Sequence, residues 1–455
     1  MDKLILVSGD SHAVVPPDLW PEYLDAEYHH FLPEMREDNA QHVALRARFA
    51  NFTPEVLEVL DTDGVWAAGG YLGVWDASRR LAEMDREGVA AEFVYGGDPR
   101  AIMPLSPQFH FYPQDVVAAG VRSWHRWAAD AFGAAADRIM VVGNAASAVD
   151  MDAMLTELDW LADRGFVATY LPGFFARHDL PALHDPYWDP FWARCVERGL
   201  FLAVHAGYGS EQREFQIKVE QLQANMESEG RTDLLTEIVN NAGHFFDKDL
   251  RPRRGMWQMM LGGVFDRFPD LHLLMAEVRG DWLPATLRHL DAVYERERAA
   301  LPARRSPSEY WRANCLVSLS FVHRSEVAMR DEIGLETIMF GRDYPHAEGM
   351  WPTTTAWLGD AFAGVPDDEI RLMMGENAIR TLALDRAALA AVAQRIGPSV
   401  ADVNARGDAP DARLVENWDT RSGYLKPAEP FVAGEIDAFL DDDLAAAGSS
   451  PGRER

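Results

Sequence analysis

Thr337-Ile-Met-Phe-Gly-Arg-Asp-Tyr-Pro-His346 is a short apolar run that passes directly into charged and polar residues. Residues 338–340 have the composition of a strand that is buried in a parallel sheet. Asp343 and His346 follow at its carboxyl end, and a strand needs neither a carboxylate nor an imidazole to form. The stretch therefore indicates a chemical use for these two side chains, and other strands of the chain end in the same way.

Eight apolar runs of this kind occur along the chain, near residues 4, 91, 138, 166, 201, 271, 316 and 338. Segments with helical hydrophobic periodicity alternate with them, such as residues 150–164 and 367–384. Eight alternating strands and helices predict an α/β fold, a (β/α)8 TIM barrel. A doubly wound open sheet is the alternative, but no Gly-x-Gly-x-x-Gly fingerprint follows an early strand.

Two long segments interrupt this alternation, and a third follows it. Residues 16–78 are rich in proline, glycine and aromatic residues, and residues 208–254 are polar and partly helical. Insertions of this length usually form lids or binding loops. We expect one barrel domain over residues 1–384 and a C-terminal extension over residues 385–455, with about the last ten residues disordered. Aromatic residues in the extension indicate packing on the barrel or on another copy in a homodimer or higher homo-oligomer.

The charge of the chain argues against some classes of partner. Lysine and arginine total 43, aspartate and glutamate total 72, and the net charge is −29. Such a field disfavours binding to nucleic acid or to an anionic membrane. Two cysteines are too few for a disulfide framework, and the first apolar run is too short for a signal sequence or a membrane span. We expect a cytoplasmic protein that acts on a small-molecule substrate.

Four residues at the predicted strand ends suit a divalent metal ion. In a (β/α)8 barrel the carboxyl ends of the strands meet at one face, where active sites lie. Asp10 and His12 follow the first strand, His205 the fifth and Asp343 the eighth. Asp10 and His12 are two residues apart and so point to the same side of an extended chain. Taken singly, each has a structural explanation, but the set predicts one bound zinc, manganese or iron ion.

Other polar residues near these strand ends have several open roles. Glu277, after the sixth strand, is a catalytic acid or base, a further metal ligand, or half of a buried ion pair with Arg279 or Arg342. His346 is either a proton donor or a hydrogen-bond partner that supports Asp343.

Two residues are candidates for binding substrate. His244, in the second insertion, either contacts the substrate or lies on the surface. Arg342, directly before Asp343, is the other candidate. The aromatic residues of the first insertion favour an apolar, aromatic substrate.

Four motifs resemble the amidohydrolase superfamily. They are Asp10-x-His12, Leu200-Phe-Leu-Ala-Val-His205-Ala-Gly, Phe265-Asp-Arg-Phe-Pro-Asp-Leu and Phe340-Gly-Arg-Asp343-Tyr-Pro-His346. Over residues 1 to about 385 the chain is most similar to the aminocarboxymuconate-semialdehyde decarboxylase-like, or amidohydrolase 2, branch. The resemblance implies one metal ion held at the positions of Asp10, His12, His205 and Asp343. It also implies either hydrolysis of amides or lactones, or nonoxidative decarboxylation of aromatic or unsaturated acids.

Two positions depart from the pattern of that family. Its archetype has His-x-His after the first strand, whereas Asp10-x-His12 resembles the manganese- or zinc-dependent aromatic acid decarboxylases of the branch. Many members have a catalytic histidine after the sixth strand, where this chain has Glu277. We predict a metal-dependent decarboxylase with Asp343 and either Glu277 or His346 as its proton carriers. A metal-dependent hydrolase of an amide, lactone or ester, and a non-catalytic binding scaffold on the same barrel, are the alternatives.

Overall fold

A sheet of parallel strands forms the centre of the molecule. The structure, a computed structural model, describes residues 3–46, 54–97, 112–173, 180–206, 228, 230, 250–346, 349–404, 410–420 and 433–448. Its strands are β1 (Leu6–Ser8), β2 (His12–Ala13), β3 (Val89–Gly96), β4 (Ile139–Gly143), β5 (Ala168–Tyr170), β6 (Phe201–His205), β7 (Leu273–Ala276), β8 (Cys315–Ser320) and β9 (Ile338–Gly341). They pair in the order β1-β3-β4-β5-β6-β7-β8-β9, and β2 continues the line of β1 beside β3.

Backbone hydrogen bonds close this sheet between its first and last strands. Gly9 N donates to Phe340 O at 2.8 Å, and Asp343 N donates to Asp10 O at 3.0 Å. Gly341 permits the close approach, because a Cβ there would lie 2.8 Å from the Cβ of Asp10. The predicted (β/α)8 barrel is confirmed, and the predicted metal residues Asp10 and Asp343 follow its adjoining first and last strands.

Alternate side chains of the strands enter two different hydrophobic clusters. The rings of Phe93 in β3 and Phe201 in β6 lie 5.3 Å apart, although these strands are not neighbours, so this cluster fills the barrel interior. Leu202 and Val204 belong to the other cluster, which lies between the strands and the helices. Both faces of the sheet are thus buried, and each apolar side chain removed from water contributes about 1.5–3 kcal/mol.

Helices cover the outside of the barrel. They are Ala77–Glu87, Gln114–Phe132, Met151–Asp163, Asp189–Arg198, Leu250–Leu261, Val264–Arg267, Leu283–Glu297, Pro307–Asn314, Arg324–Ala328, Arg330–Ile333, Thr354–Ala361, Asp367–Arg371 and Asn377–Thr381. Leu250–Leu261 and Val264–Arg267 are separate helices, because Gly263 adopts a φ of +66° between them. The helix predicted over residues 367–384 contains the π-helical turn Leu372–Glu376.

The segment after β1 contains both regular helices and a strand that the sequence prediction missed. Its α-helices are Trp20–Tyr23, Leu32–Arg46 and Pro54–Leu60, and its 3-10 helices are Pro17–Leu19, Ala26–Phe31 and Gly70–Val74. The missed strand is β2, where His12 pairs with Tyr95. Nearly all of the second predicted insertion, residues 208–254, lies outside the described residues.

The described part of the C-terminal extension is helical and packs on the barrel. Its helices are Arg386–Ile396, Val400–Val403, Ala412–Thr420 and Ala433–Gly448. The last helix includes the first three residues of the stretch that we expected to be disordered, and residues 449–455 lie outside the described ranges. Asp443 anchors this helix, since it accepts hydrogen bonds from Arg254 Nη2 at 2.8 Å and Gln258 Nε2 at 2.7 Å. Within the described ranges, no helix has the length and apolar character needed to cross a membrane.

Candidate metal centre

Six titratable side chains converge at the carboxyl ends of the barrel strands. Asp10, His12, His205 and Glu277 form one group, in which one ligand atom from each residue lies within 4.8 Å of all the others. His12, Asp343 and His346 form a second group of the same kind. We call the six residues together the metal centre. Since His12 belongs to both groups, the four residues predicted as metal ligands come together, and Glu277 and His346 join them.

Asp10 is oriented by hydrogen bonds from two serine side chains. Ser320 Oγ, at the end of β8, donates to Asp10 Oδ2 at 2.5 Å. Ser8 Oγ donates to the backbone carbonyl of Asp10 at 2.9 Å. The Ser320 bond fixes one carboxylate oxygen and the Ser8 bond fixes the backbone, while Oδ1 faces the histidines of the centre.

Asp10 Oδ1 lies close to both predicted histidine ligands. It is 3.3 Å from His205 Nε2 and 3.5 Å from His12 Nε2. His205 Nε2 is also 3.3 Å from Glu277 Oε2, and His12 Nε2 is 3.1 Å from Asp343 Oδ1. Carboxylate oxygens and imidazole nitrogens thus alternate through the centre.

Asp10 Oδ1 and His205 Nε2 are buried, and neither has a hydrogen-bond partner within the described ranges. They face each other at short range, but their geometry is not that of a hydrogen bond. Buried polar atoms in native proteins are nearly always satisfied. A set of metal ligands presents lone pairs that face one another without a hydrogen-bond donor between them. These residues therefore fit a bound cation.

The charges of the centre favour a cation at His205. Burial by itself lowers the pKa of this histidine, but Asp10 and Glu277 outweigh burial and raise the pKa to about 10. The same two acidic groups would favour a metal cation at Nε2 of the neutral imidazole.

Glu277 and Asp343 have an unusual backbone conformation. Their φ angles are +51° and +50°, in the left-handed region that favours glycine. A non-glycine residue held there costs about 1–3 kcal/mol, and such residues cluster at functional sites. The turns direct both carboxylates into the centre, an effect that the sequence did not reveal.

His346 stacks on the centre at its more exposed side. Its ring lies 4.0 Å from that of His12, with an interplanar angle of 12°, and its Nδ1 lies 3.1 Å from Asp343 Oδ1. The side chains of His346 and Glu277 are 12% and 19% exposed, whereas Asp10 and Asp343 are fully buried. His346 and Glu277 are thus the members of the centre that are most exposed to solvent.

The structure describes only one of the two residues that were predicted to bind substrate. Arg342 Nε donates to Glu92 Oε2 at 2.7 Å, and its guanidinium packs 4.6 Å from the ring centre of Tyr344. This buried ion pair engages the guanidinium, and the substrate-binding role of Arg342 stays a prediction. His244 lies outside the described residues. Arg279, which we considered as a partner of Glu277, binds Asp281 at 2.5 Å.

Two tyrosines beside the centre were missed by the sequence analysis. The ring of Tyr95, at the end of β3, lies 5.0 Å from that of His205 and 5.8 Å from that of Tyr170, at the end of β5. Burial, with the charge of Asp10 adding to it, raises the pKa of both phenols well above the ordinary value. Their positions at strand ends were a usable signal, but a buried tyrosine in an apolar run resembles any core residue.

Comparison with known proteins identifies one family. The family model described as Amidohydrolase matches residues 16–384. His205, Glu277 and Asp343 lie within the matched range, whereas Asp10 and His12 precede it. No curated protein sequence matches the chain.

Solved structures from several bacteria share the fold. An amidohydrolase from Mycobacterium avium subsp. paratuberculosis K-10 has a TM-score of 0.58 and 18% identity, over 84% of this chain and 100% of that one. The 5-carboxyvanillate decarboxylase of Sphingomonas paucimobilis has a TM-score of 0.53 and 18% identity, over 84% and 99%. A dihydroxybenzoic acid decarboxylase from Polaromonas sp. JS666, with bound manganese and the inhibitor 2-nitroresorcinol, has a TM-score of 0.51 and 16% identity, over 86% and 99%. At these identities the likeness shows the fold alone.

Proposed function

This chain belongs to the amidohydrolase family, and from that membership we propose that it decarboxylates a small aromatic or unsaturated carboxylic acid. The family makes it a metal-dependent carboxy-lyase or hydrolase. The observation that carries the proposal is the acidic first ligand position, Asp10, whose free oxygen faces His205 Nε2 at 3.3 Å. Two proteins that share the fold are decarboxylases of aromatic acids, which supports the choice of reaction.

Asp10, His12, His205 and Asp343 would hold one divalent ion in this proposal. Glu277 is the fifth candidate, since it lies in the same group as Asp10 and His205. Carboxylate-rich sites with imidazoles suit manganese or zinc, with iron a further option. The protein from Polaromonas contains manganese, which makes that metal our first choice. When bound, the ion supplies positive charge that stabilises negative charge developing on the substrate oxygens.

Asp343 is the proposed proton carrier for the substrate carbon. Its Oδ1 lies 3.1 Å from both His12 Nε2 and His346 Nδ1, so it contacts a proposed ligand on one side and a more exposed imidazole on the other. A proton that Asp343 gives to the substrate can be restored through His346 from solvent. Loss of CO2 then leaves the substrate carbon with that proton in place of the carboxylate.

Hydrolysis of an amide, lactone or ester is the second candidate function. The observation in its favour is Glu277, which stands where many family members have histidine and is 19% exposed. A carboxylate at that position suits a general base that takes a proton from an attacking water molecule. The proposed ligands are the same for both reactions.

A substrate screen distinguishes the two reactions. Manganese-loaded protein is incubated with hydroxybenzoates, and CO2 release is measured; lactones and amides are tested in parallel for acid release. We expect CO2 from at least one hydroxybenzoate and none from an Asp343→Asn sample prepared in the same way, which controls for contaminating enzymes. Hydrolysis of a lactone or amide without any decarboxylation would overturn the proposed reaction and favour the second candidate.

A further inference from the structure

Tyr95 is a fully buried residue whose hydroxyl group has no structural role among the described residues. It lies in β3, where it pairs with the proposed ligand His12. Its Oη has no hydrogen-bond partner among the described residues. Two other buried tyrosines differ, since Tyr344 Oη donates to Gly70 O and Tyr310 Oη donates to Asp266 Oδ2, each at 2.5 Å. Tyr95 is thus an exception that requires an explanation.

The location of Tyr95 suggests what its hydroxyl group binds. Its ring lies 5.0 Å from the ring of His205 and 6.3 Å from that of His12, so it forms a wall of the metal centre. Leaving a buried hydroxyl without a partner costs about 1–3 kcal/mol, whereas phenylalanine would fill the same space without that cost. A hydroxyl placed here is explained if a ligand of the centre supplies the acceptor.

The charges around the centre indicate the type of acceptor. Asp10, Glu277 and Asp343 are acidic, and the nearby guanidinium groups of Arg80 and Arg342 are bound to Glu92. Within the described ranges, an anionic substrate therefore has few cationic side chains to meet it besides a metal ion. A neutral hydroxyl donor is suited to this place, because it can bind an anionic oxygen without adding a charge to the buried centre.

We propose that Tyr95 is a substrate-binding residue whose Oη donates a hydrogen bond to an anionic oxygen of an aromatic carboxylate at the metal centre. The inference rests on the proposed function, because it takes its ligand class from there. Tyr170, whose ring lies 5.8 Å from that of Tyr95, extends the same aromatic wall. A flat aromatic acid would lie against these two rings.

The test is Tyr95→Phe, which removes one oxygen atom and keeps the ring. Binding of 2,6-dihydroxybenzoate and salicylate to the manganese-loaded full-length protein is measured by calorimetry, together with metal content and thermal stability. A hydrogen bond to a charged group corresponds to about 10- to 100-fold in affinity, so we expect a loss in that range. We expect metal content and thermal stability to remain those of the wild type.

Tyr310→Phe is the matched control, since its hydroxyl group is bonded to Asp266. It should lower thermal stability and leave probe affinity unchanged. Wild-type affinity in Tyr95→Phe would overturn the role of Tyr95 and leave the proposed function standing. A loss of stability in Tyr95→Phe like that in Tyr310→Phe would also overturn it, since the hydroxyl would then be structural. If the wild-type protein binds neither probe, the aromatic-acid substrate class fails and this inference fails with it.

Discussion

Two clusters of buried ionisable side chains lie next to each other in this barrel, and they differ in how their charged groups are paired. In the arginine network, formed by Arg80, Glu92 and Arg342, Glu92 Oε1 and Oε2 each lie 2.6 Å from a guanidinium nitrogen. In the metal centre, a free oxygen of Asp10 faces an imidazole nitrogen without hydrogen-bond geometry. Both clusters are buried and carry acidic and basic groups, so burial and residue type alone do not distinguish them.

The arginine network also supports the backbone of the metal centre. Arg80 donates from Nη2 to the carbonyl of His12 and from Nε to Gly73 O at 2.8 Å. Arg342 immediately precedes Asp343, and its backbone N–H donates to Ser8 Oγ at 2.9 Å. The comparison teaches that in one cluster both oxygens of Glu92 accept hydrogen bonds from guanidinium groups, and this cluster supports structure. The other is rich in acceptors, as a site for a bound cation would be, and it is the proposed site of chemistry.

The largest effect should come from Asp343→Asn in the metal centre. Asparagine keeps the shape of the side chain but has no ionisable proton to give to the substrate, so turnover should fall about 10²- to 10⁴-fold. Thermal stability should stay near that of the wild type, because the change removes one acidic group from a centre rich in acceptors. Rates of CO2 release within about tenfold of the wild type would remove Asp343 from the chemistry.

Glu92→Gln in the arginine network should show the opposite behaviour. It leaves two buried guanidinium groups without their carboxylate, which should lower the free energy of unfolding by about 3–5 kcal/mol. Urea unfolding measures the change, with Glu295→Gln as an exposed control that should stay within about 0.5 kcal/mol of the wild type. Stability equal to the wild type would mean that the network does not support the structure as its distances indicate.

Asp443→Ala tests a third buried acidic group, at the C-terminal helix. Asp443 accepts hydrogen bonds from Arg254, Trp257 and Gln258, so its loss should cost about 1–3 kcal/mol of unfolding free energy. Asp442 is exposed on the same helix, and Asp442→Ala is the matched control. Equal unfolding midpoints for the two variants would show that the hydrogen bonds of Asp443 contribute nothing to the stability of the protein.

Glu326 should produce the smallest effect, seen as a dependence of stability on pH. Burial raises the pKa of Glu326 to about 7, and backbone N–H donors oppose that shift only in part. Between the unfolded pKa of about 4.5 and a folded pKa of about 7, the folded state binds more protons, so stability falls as pH rises. The slope is about 1 kcal/mol per pH unit at most. Glu326→Gln should remove this slope, and a wild-type slope in the variant would contradict the assignment.

The barrel and the predicted metal residues could be inferred from the sequence for a physical reason. Apolar runs of strand length mark the buried strands, and parallel strands of a barrel all end at one face. Asp10, His12, His205 and Asp343 follow such runs, and the structure brings them together as that rule requires.

Contacts between distant segments could not be inferred in this way. Glu92 and Arg342 are far apart in the chain, and nothing in the local pattern of either one indicates that they pair. Glu277 reaches His205 through a backbone turn with φ of +51°, which residue type does not predict. The buried hydroxyl of Tyr95 is recognisable only when its surroundings are known.

Metal content tests the central claim most directly. The protein is purified without added metal, dialysed against chelator and titrated with Mn²⁺, and His205→Ala is treated in the same way. We expect the wild type to bind one ion per chain, and the variant to bind at least 10- to 100-fold more weakly, because it lacks an imidazole of the ligand group. Absence of metal from the purified wild-type protein, with no uptake on titration, would contradict the account and favour a non-catalytic scaffold.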